Sequence, residues 1–185
     1  MESPVSKIPI FQKRSSRAIF RTKSVSAPTI SLKIPCDCSH VLLADDDRFQ
    51  GFYYQTLFQQ SLHFDPLSIQ KKDFRFSLSI CGEELLSEFK ESKKNCRCKA
   101  PLLVIVDYNM GPGKMNGIET ILALRKEGYK GLIILRTSET YQFLIERHPN
   151  LNDLIESKVL NFLLGKNDHR ETKNTIQALL QQIFP

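Results

Sequence analysis

From residue 40 onward, short apolar runs alternate with longer amphipathic stretches, a rhythm that predicts βα units around a parallel sheet. Four runs are mostly apolar and of strand length: Val41 to Ala44, Leu102 to Val106, Leu132 to Leu135 and Val159 to Leu164. Such runs suit strands covered by helices on both faces. A fifth, Phe74 to Ile80, alternates instead. Phe74, Phe76, Leu78 and Ile80 fall on one side and Arg75, Ser77 and Ser79 on the other, which predicts a half-exposed strand at a sheet edge. Between the strands, Phe49, Phe52, Tyr53, Thr56 and Leu57 recur at helical spacing. So do Ile118, Ile121 and Leu122, and later Ile176, Leu179, Leu180 and Ile183, and each stripe is expected to cover the sheet. Asn116, with Glu119 three residues on, predicts a capped start for the helix after Asp107. The predicted order is βαβαβαβαβα.

The first 39 residues read differently. Pro4, Pro9, Pro28 and Pro35 interrupt a Ser- and Lys/Arg-rich stretch with no sustained period, so a disordered leader is expected. It carries most of the chain's net charge of +6. With neither interleaved aromatic platforms nor a DNA-reading helix, that charge suggests a solvated tail rather than a nucleic-acid binder. Ser24 and Ser26 follow basic residues and are candidate Ser/Thr phosphosites. Residues 63–73 and 91–100 are polar connections longer than βα units need, and 146–158 lengthen the fourth helical region; all three are read as insertions. The domain is therefore expected over residues 40–185.

No apolar run approaches the roughly 18 to 20 residues needed to span a bilayer, and no signal-peptide segment opens the chain. A soluble, cytoplasmic protein is expected. Five cysteines, an odd number, argue for reduced thiols. The steps Cys36-Asp37-Cys38 and Cys96-Arg97-Cys98 are tighter than the C-x₂₋₄-C spacing of structural zinc sites.

Right-handed crossovers bring the carboxyl ends of parallel strands to one edge of the sheet, where open α/β folds place their ligands. The first strand ends in Asp45-Asp46-Asp47, the third in Asp107, the fourth in Thr137-Ser138 and the last in Lys166. Taken singly, each would be a helix cap or a solvated strand end, and Asp47 suits an N-cap. Together they are a cluster of carboxylates with a hydroxyl and an ammonium. Crowded carboxylates need a proton or a cation, and Mg²⁺ takes one or two carboxylates plus phosphate oxygens. Asp107 could then attack a phosphoryl donor to give an acyl phosphate, with Lys166 balancing charge and Thr137 donating a hydrogen bond.

The segments VLLADDDRF, CGEELL, LLVIVDYNM, MNGIET, LIILRTSE and FLLGK, in that order, resemble the receiver domains of two-component response regulators over about residues 40–184. The resemblance implies a flavodoxin-like three-layer (βα)5 sandwich with sheet order 2-1-3-4-5. It implies Mg²⁺ held by Asp45, Asp46, Asp107 and the backbone carbonyl of Asn109, phosphorylation on Asp107, and phosphate contacts from Thr137 and Lys166. It also implies a histidine kinase or histidine phosphotransfer protein as donor and a downstream protein target on the phosphorylated face. The chain would be a phosphoacceptor with auto-dephosphorylation rather than an enzyme. No further folded domain is expected after residue 185, so the expected output is the phosphorylated surface itself, or the chain is expected to be the terminal receiver of a hybrid kinase, which the leader and insertions suggest is eukaryotic.

Three departures stand out. The loop after Asp107, NMGPGKMNG, is about two residues longer than usual, with Gly111 where a proline is common. Asn167 replaces the usual proline after the lysine, and Leu163 sits where an aromatic switch residue is common. They leave open a pseudo-receiver that only binds other proteins. A haloacid-dehalogenase-like phosphatase with Asp45 as nucleophile is a further alternative, because Asp45-Asp46-Asp47 satisfies D-x-D after a strand.

Overall fold

The computed structural model describes residues 41–61, 76–95, 101, 103–167 and 169–183. The leader with Ser24 and Ser26, the 63–73 connection and both C-x-C steps lie outside them. The elements run β1 (Val41–Ala44), α1 (Arg48–Ser61), β2 (Phe76–Ser79), α2 (Gly82–Asn95), β3 (Leu103–Asp107), α3 (Gly117–Lys126), β4 (Leu132–Thr137), α4 (Tyr141–Arg147), α5 (Leu151–Glu156), β5 (Phe162–Gly165) and α6 (His169–Ile183). All strand pairs are parallel, in the order β2-β1-β3-β4-β5. This is the flavodoxin-like order expected, with the alternating strand at the edge. Two short helices, not one, join β4 to β5, and residues 91–95 continue α2 rather than leaving the fold.

Successive side chains of a strand point to opposite faces, so the sheet builds two cores. On one side, Val41, Leu43, Leu103, Ile105 and Ile134 pack against Tyr54, Leu57 and Phe58 of α1 and Ile176 and Leu179 of α6. On the other, Leu42, Val104, Val106, Ile133 and Leu135 meet α2, α3, α4 and α5 through Leu85, Phe89, Ile118, Ile121, Leu124, Leu144 and Leu151. At the amino edge of the sheet Arg125 donates to the carbonyls of Tyr129, Gly131, Lys158 and Val159 and to the Asn161 side chain, tying α3 to the segment before β5.

Several sequence expectations are corrected. The α1 stripe is rotated: Phe49 and Phe52 are 79% and 67% exposed, while Tyr54, Leu57 and Phe58 are buried. Aromatic residues occur on both sides of this helix, and Gly51 decides between them. A Cβ there would lie 2.5 Å from Leu78, so the Gly51–Tyr54–Phe58 side is the one that can approach the sheet. In α3, Leu124 is buried and Leu122 is exposed. In β2 the burial does not follow the expected alternation: Phe76 and Ser77 are half-buried, Ser79 is buried and donates to Glu88 of α2, and Leu78 and Ile80 are partly exposed. β5 starts at Phe162 rather than Val159. Lys158 takes a left-handed φ of 59° to end α5, the Leu160 N–H returns to Leu154, and Arg125 takes the carbonyls of Lys158 and Val159.

Candidate functional site

Strand order reverses between β1 and β3: from β1 the chain crosses to β2 on one side, then returns to β3 on the other. A crevice at the carboxyl ends of the strands follows from that reversal. The registers Ala44↔Val106, Asp107↔Arg136 and Thr137↔Gly165 bring the four strand ends to nearly one level. Asp45 follows β1, Asp107 and Thr137 close β3 and β4, and Lys166 follows β5.

Local bonds fix each group. Asp47 caps α1, its carboxylate accepting the Phe49 N–H, and Asp45 Oδ1 accepts the Asp47 N–H. The Asp45 N–H is held by Ser79 O at 3.1 Å. After Asp107, the Tyr108 N–H returns to Arg136 O, and the Gly117 N–H to Tyr108 O, closing the loop onto the start of α3. The expected capping box is present there: Asn116 accepts from the Glu119 N–H, and Glu119 accepts from the Asn116 N–H. Gly117 is packed so closely that a Cβ would lie 2.5 Å from the Asp107 carbonyl oxygen.

The Asp45, Asp107 and Thr137 residues are buried, and Asp46 is exposed. One carboxylate oxygen from each of Asp45, Asp46 and Asp107 lies within 4.8 Å of the others. Lys166 Nζ sits 2.8 Å from Asp107 Oδ2 and 3.3 Å from Asp45 Oδ2. Burial pushes the Asp107 carboxyl up to about 6; the hydrogen bond from Lys166 opposes this and the Asp45 charge adds to it. Burial likewise raises Asp45, again against Lys166. Burial disfavours the Lys166 ammonium, but Asp107 and Asp45 outweigh it and raise its pKa.

Three carboxylates facing one ammonium leave two formal negative charges when all are ionised. Asp45 Oδ2 is buried, with Lys166 as its ion-pair partner and no hydrogen bond beside it. An all-oxygen donor set with uncompensated charge fits a hard divalent cation. The structure brings Asp45, Asp46, Asp107 and Lys166 together at this sheet edge. Thr137 Oγ1 accepts the Glu139 N–H, which leaves its proton available to donate. The Asn109 side chain donates to Glu139.

Sequence reasoning missed two features. Arg136, the residue before Thr137, is 1% exposed on the α1 and α6 side of the sheet. It interrupts the apolar run of a fully covered strand, and that interruption was the available signal. Tyr108, beside Asp107, packs on His148 at the end of α4, with its hydroxyl 3.0 Å from Nε2. Nothing in spacing alone pairs residues 40 positions apart.

Solved structures share this fold. The signal receiver domain of a protein assigned as a LuxO repressor from Vibrio parahaemolyticus aligns with a TM-score of 0.52 at 16% identity, over 78% of this chain and 92% of that one. A response regulator receiver domain protein from Clostridium thermocellum aligns with a TM-score of 0.50 at 16% identity, over 78% and 94%. A Francisella response regulator receiver domain gives 0.50 at 18% identity, over 77% and 97%. At these identities the likeness is one of fold. No protein-family model matches the sequence, and no curated protein is significantly similar to it. Among the described residues, no helix is long and apolar enough to cross a membrane.

Proposed function

We propose that this chain is a phosphorelay receiver that takes a phosphoryl group on Asp107 from a histidine kinase or phosphotransfer protein. The observation that carries the reading is a buried carboxylate at the end of a central strand, 2.8 Å from Lys166 and grouped with Asp45 and Asp46. Asp45, Asp46 and Asp107, with the Asn109 carbonyl, would hold Mg²⁺, which when bound supplies positive charge to phosphate oxygens.

In the transfer, an Asp107 oxygen attacks the phosphorus of a phosphohistidine, the P–N bond breaks as the P–O bond forms, and the imidazole leaves and takes up a proton. Lys166 balances charge on the transferred group and the Thr137 hydroxyl donates to it. The protein contributes positioning and electrostatics; the donor supplies the bond energy. A protein donor also has a surface to use, because Phe49 and Phe52 stand exposed on the first two turns of α1, directly after the Asp45–Asp46 pair.

The alternative with Asp45 as nucleophile has less support. Its Oδ1 already accepts the Asp47 N–H, and the Asp47 carboxylate is committed to capping α1.

The test is beryllofluoride with Mg²⁺, which mimics an aspartyl phosphate. Backbone amide shifts concentrated around Asp107 and Thr137 are expected. Their absence at millimolar concentration overturns the reading in favour of a pseudo-receiver that binds other proteins without phosphate chemistry.

A further inference from the structure

Arg136 is a cation in an apolar layer. Its strand neighbours on the same face, Leu132 and Ile134, pack against α1 and α6, where an aliphatic residue is expected at every inward position. Burying a guanidinium costs free energy that a well-packed apolar side chain of similar volume avoids, so packing alone gives no reason for arginine here.

What the guanidinium does is visible in its contacts. One arm, Nη2, donates to the main-chain carbonyl of Lys166 at 3.3 Å. The other, Nη1, donates to Gln50 Oε1 in the first turn of α1 at 3.2 Å. Its planar head lies against the ring of Tyr54, 5.3 Å from the centroid, one turn further along the same helix. The Lys166 N–H is in turn held by Thr137 O at 2.7 Å. Lys166 lies just beyond the last ladder pair, Thr137↔Gly165, so the regular sheet supplies no partner for its carbonyl. Both polar groups of that residue's backbone are instead bonded to β4, one directly and one through Arg136. The peptide bond following Lys166 is trans.

We infer that Arg136 is a positioning residue for the phosphoryl transfer: by clamping the Lys166 carbonyl to α1 and β4, it sets where the ammonium stands between Asp107 and Asp45. This rests on the receiver reading of the site. A lysine on an untethered loop samples many rotamers and loop positions. One whose backbone is bonded at both ends starts its side chain from a fixed point, from which Asp107 and Asp45 take the ammonium, and this matters because misplacement near 1 Å costs transfer reactions about 100-fold.

The experiment uses the full chain and two variants, Arg136→Met, which removes all donors, and Arg136→Lys, which keeps the charge but cannot span Gln50 and Lys166 together. Cooperative thermal melting establishes that each is folded, and Arg136→Lys carries the comparison if Arg136→Met is not. Two readouts follow. The first is the ¹H–¹³C signal of the Lys166 ε-methylene, assigned with Lys166→Met and recorded without metal or phosphate. The second is the rate of labelling from acetyl phosphate with Mg²⁺, in the native and Lys166→Met backgrounds. The expected result is a displaced Lys166 signal and labelling slowed about 10- to 100-fold in the native background, with no further slowing in Lys166→Met, since a residue acting only through Lys166 has nothing left to act on. An unmoved Lys166 signal in a folded variant, or the same loss of rate in both backgrounds, overturns the inference. If the Lys166 signal moves but the native protein is never labelled, the receiver reading fails, and a role in transfer fails with it.

Discussion

Replacing Asp107 by asparagine should stabilise the metal-free protein, and by an amount that depends on pH in a specified way. Burial raises the Asp107 carboxyl from its ordinary value of 3.8 to about 6. A group whose pKa is raised by folding favours the fold while protonated, and that contribution is lost as pH climbs through the folded value. Roughly two pKa units at 1.36 kcal/mol each give about 3 kcal/mol lost between pH 4 and pH 7. The figure already includes the attraction of Lys166, because that ion pair is one of the influences on the pKa. Asparagine resembles the protonated acid and has no proton to lose. Asp107→Asn should therefore match the native chain near pH 4 and exceed it by about 2–3 kcal/mol at pH 7.5. Urea unfolding followed by far-ultraviolet circular dichroism, in EDTA across pH 4–8, measures the gap. Adding Mg²⁺ at pH 7.5 should close it by stabilising the native chain selectively, by about 2.7 kcal/mol at a concentration 100 times the dissociation constant. A gap that is flat across pH, or a native chain more stable than Asp107→Asn in EDTA at pH 7.5, would refute the reasoning.

Three further outcomes follow from packing and capping. Gly117→Ala places a Cβ 2.5 Å from both the Asp107 carbonyl oxygen and Leu135, so it should destabilise by about 1–3 kcal/mol and blunt the stabilisation by Mg²⁺; a native urea midpoint and native metal response would contradict this. Arg125→Met strips donors from four carbonyls and Asn161 at the far edge of the sheet; about 2–3 kcal/mol should be lost, with the Mg²⁺ response of the folded protein unchanged. Asn116→Ala removes the capping box of α3 and should lower unfolding free energy by about 1 kcal/mol, with Asn116→Asp recovering most of it.

Strand positions were legible because covered parallel strands demand apolar runs, and Val41–Ala44 is a run with no competing interpretation. The site was legible for a related reason: polar residues that terminate such runs must emerge at one sheet edge. Asp45, Asp46, Asp107 and Lys166 met there without any pairwise signal between them. The burial face of α1 was not legible, because Phe49, Phe52, Tyr53, Tyr54, Leu57 and Phe58 populate more than one helical stripe. The choice among them was made by the absence of a side chain at Gly51 against Leu78, a tertiary fit that periodicity does not encode. The end of α5 was missed because Val159 and Leu160 look like strand, while Arg125, over 30 residues earlier, takes the carbonyls of Lys158 and Val159, and the Leu160 N–H returns to Leu154. Arg136 sat in plain view as the only charge in LIILRT. Its meaning needed the structure, since neither Gln50 nor the Lys166 carbonyl is near it in sequence.

The central claim is that Asp107, among the carboxylates at this sheet edge, is the one that accepts phosphate. Incubation with acetyl phosphate and Mg²⁺, reduction with borohydride, and mass spectrometry of the digested chain read the position directly, because an aspartyl phosphate is converted to homoserine where it formed. Homoserine at residue 107, dependent on Mg²⁺ and absent from Asp107→Asn, is the predicted result. Homoserine at residue 45, or none at any aspartate while the protein remains folded, would contradict it.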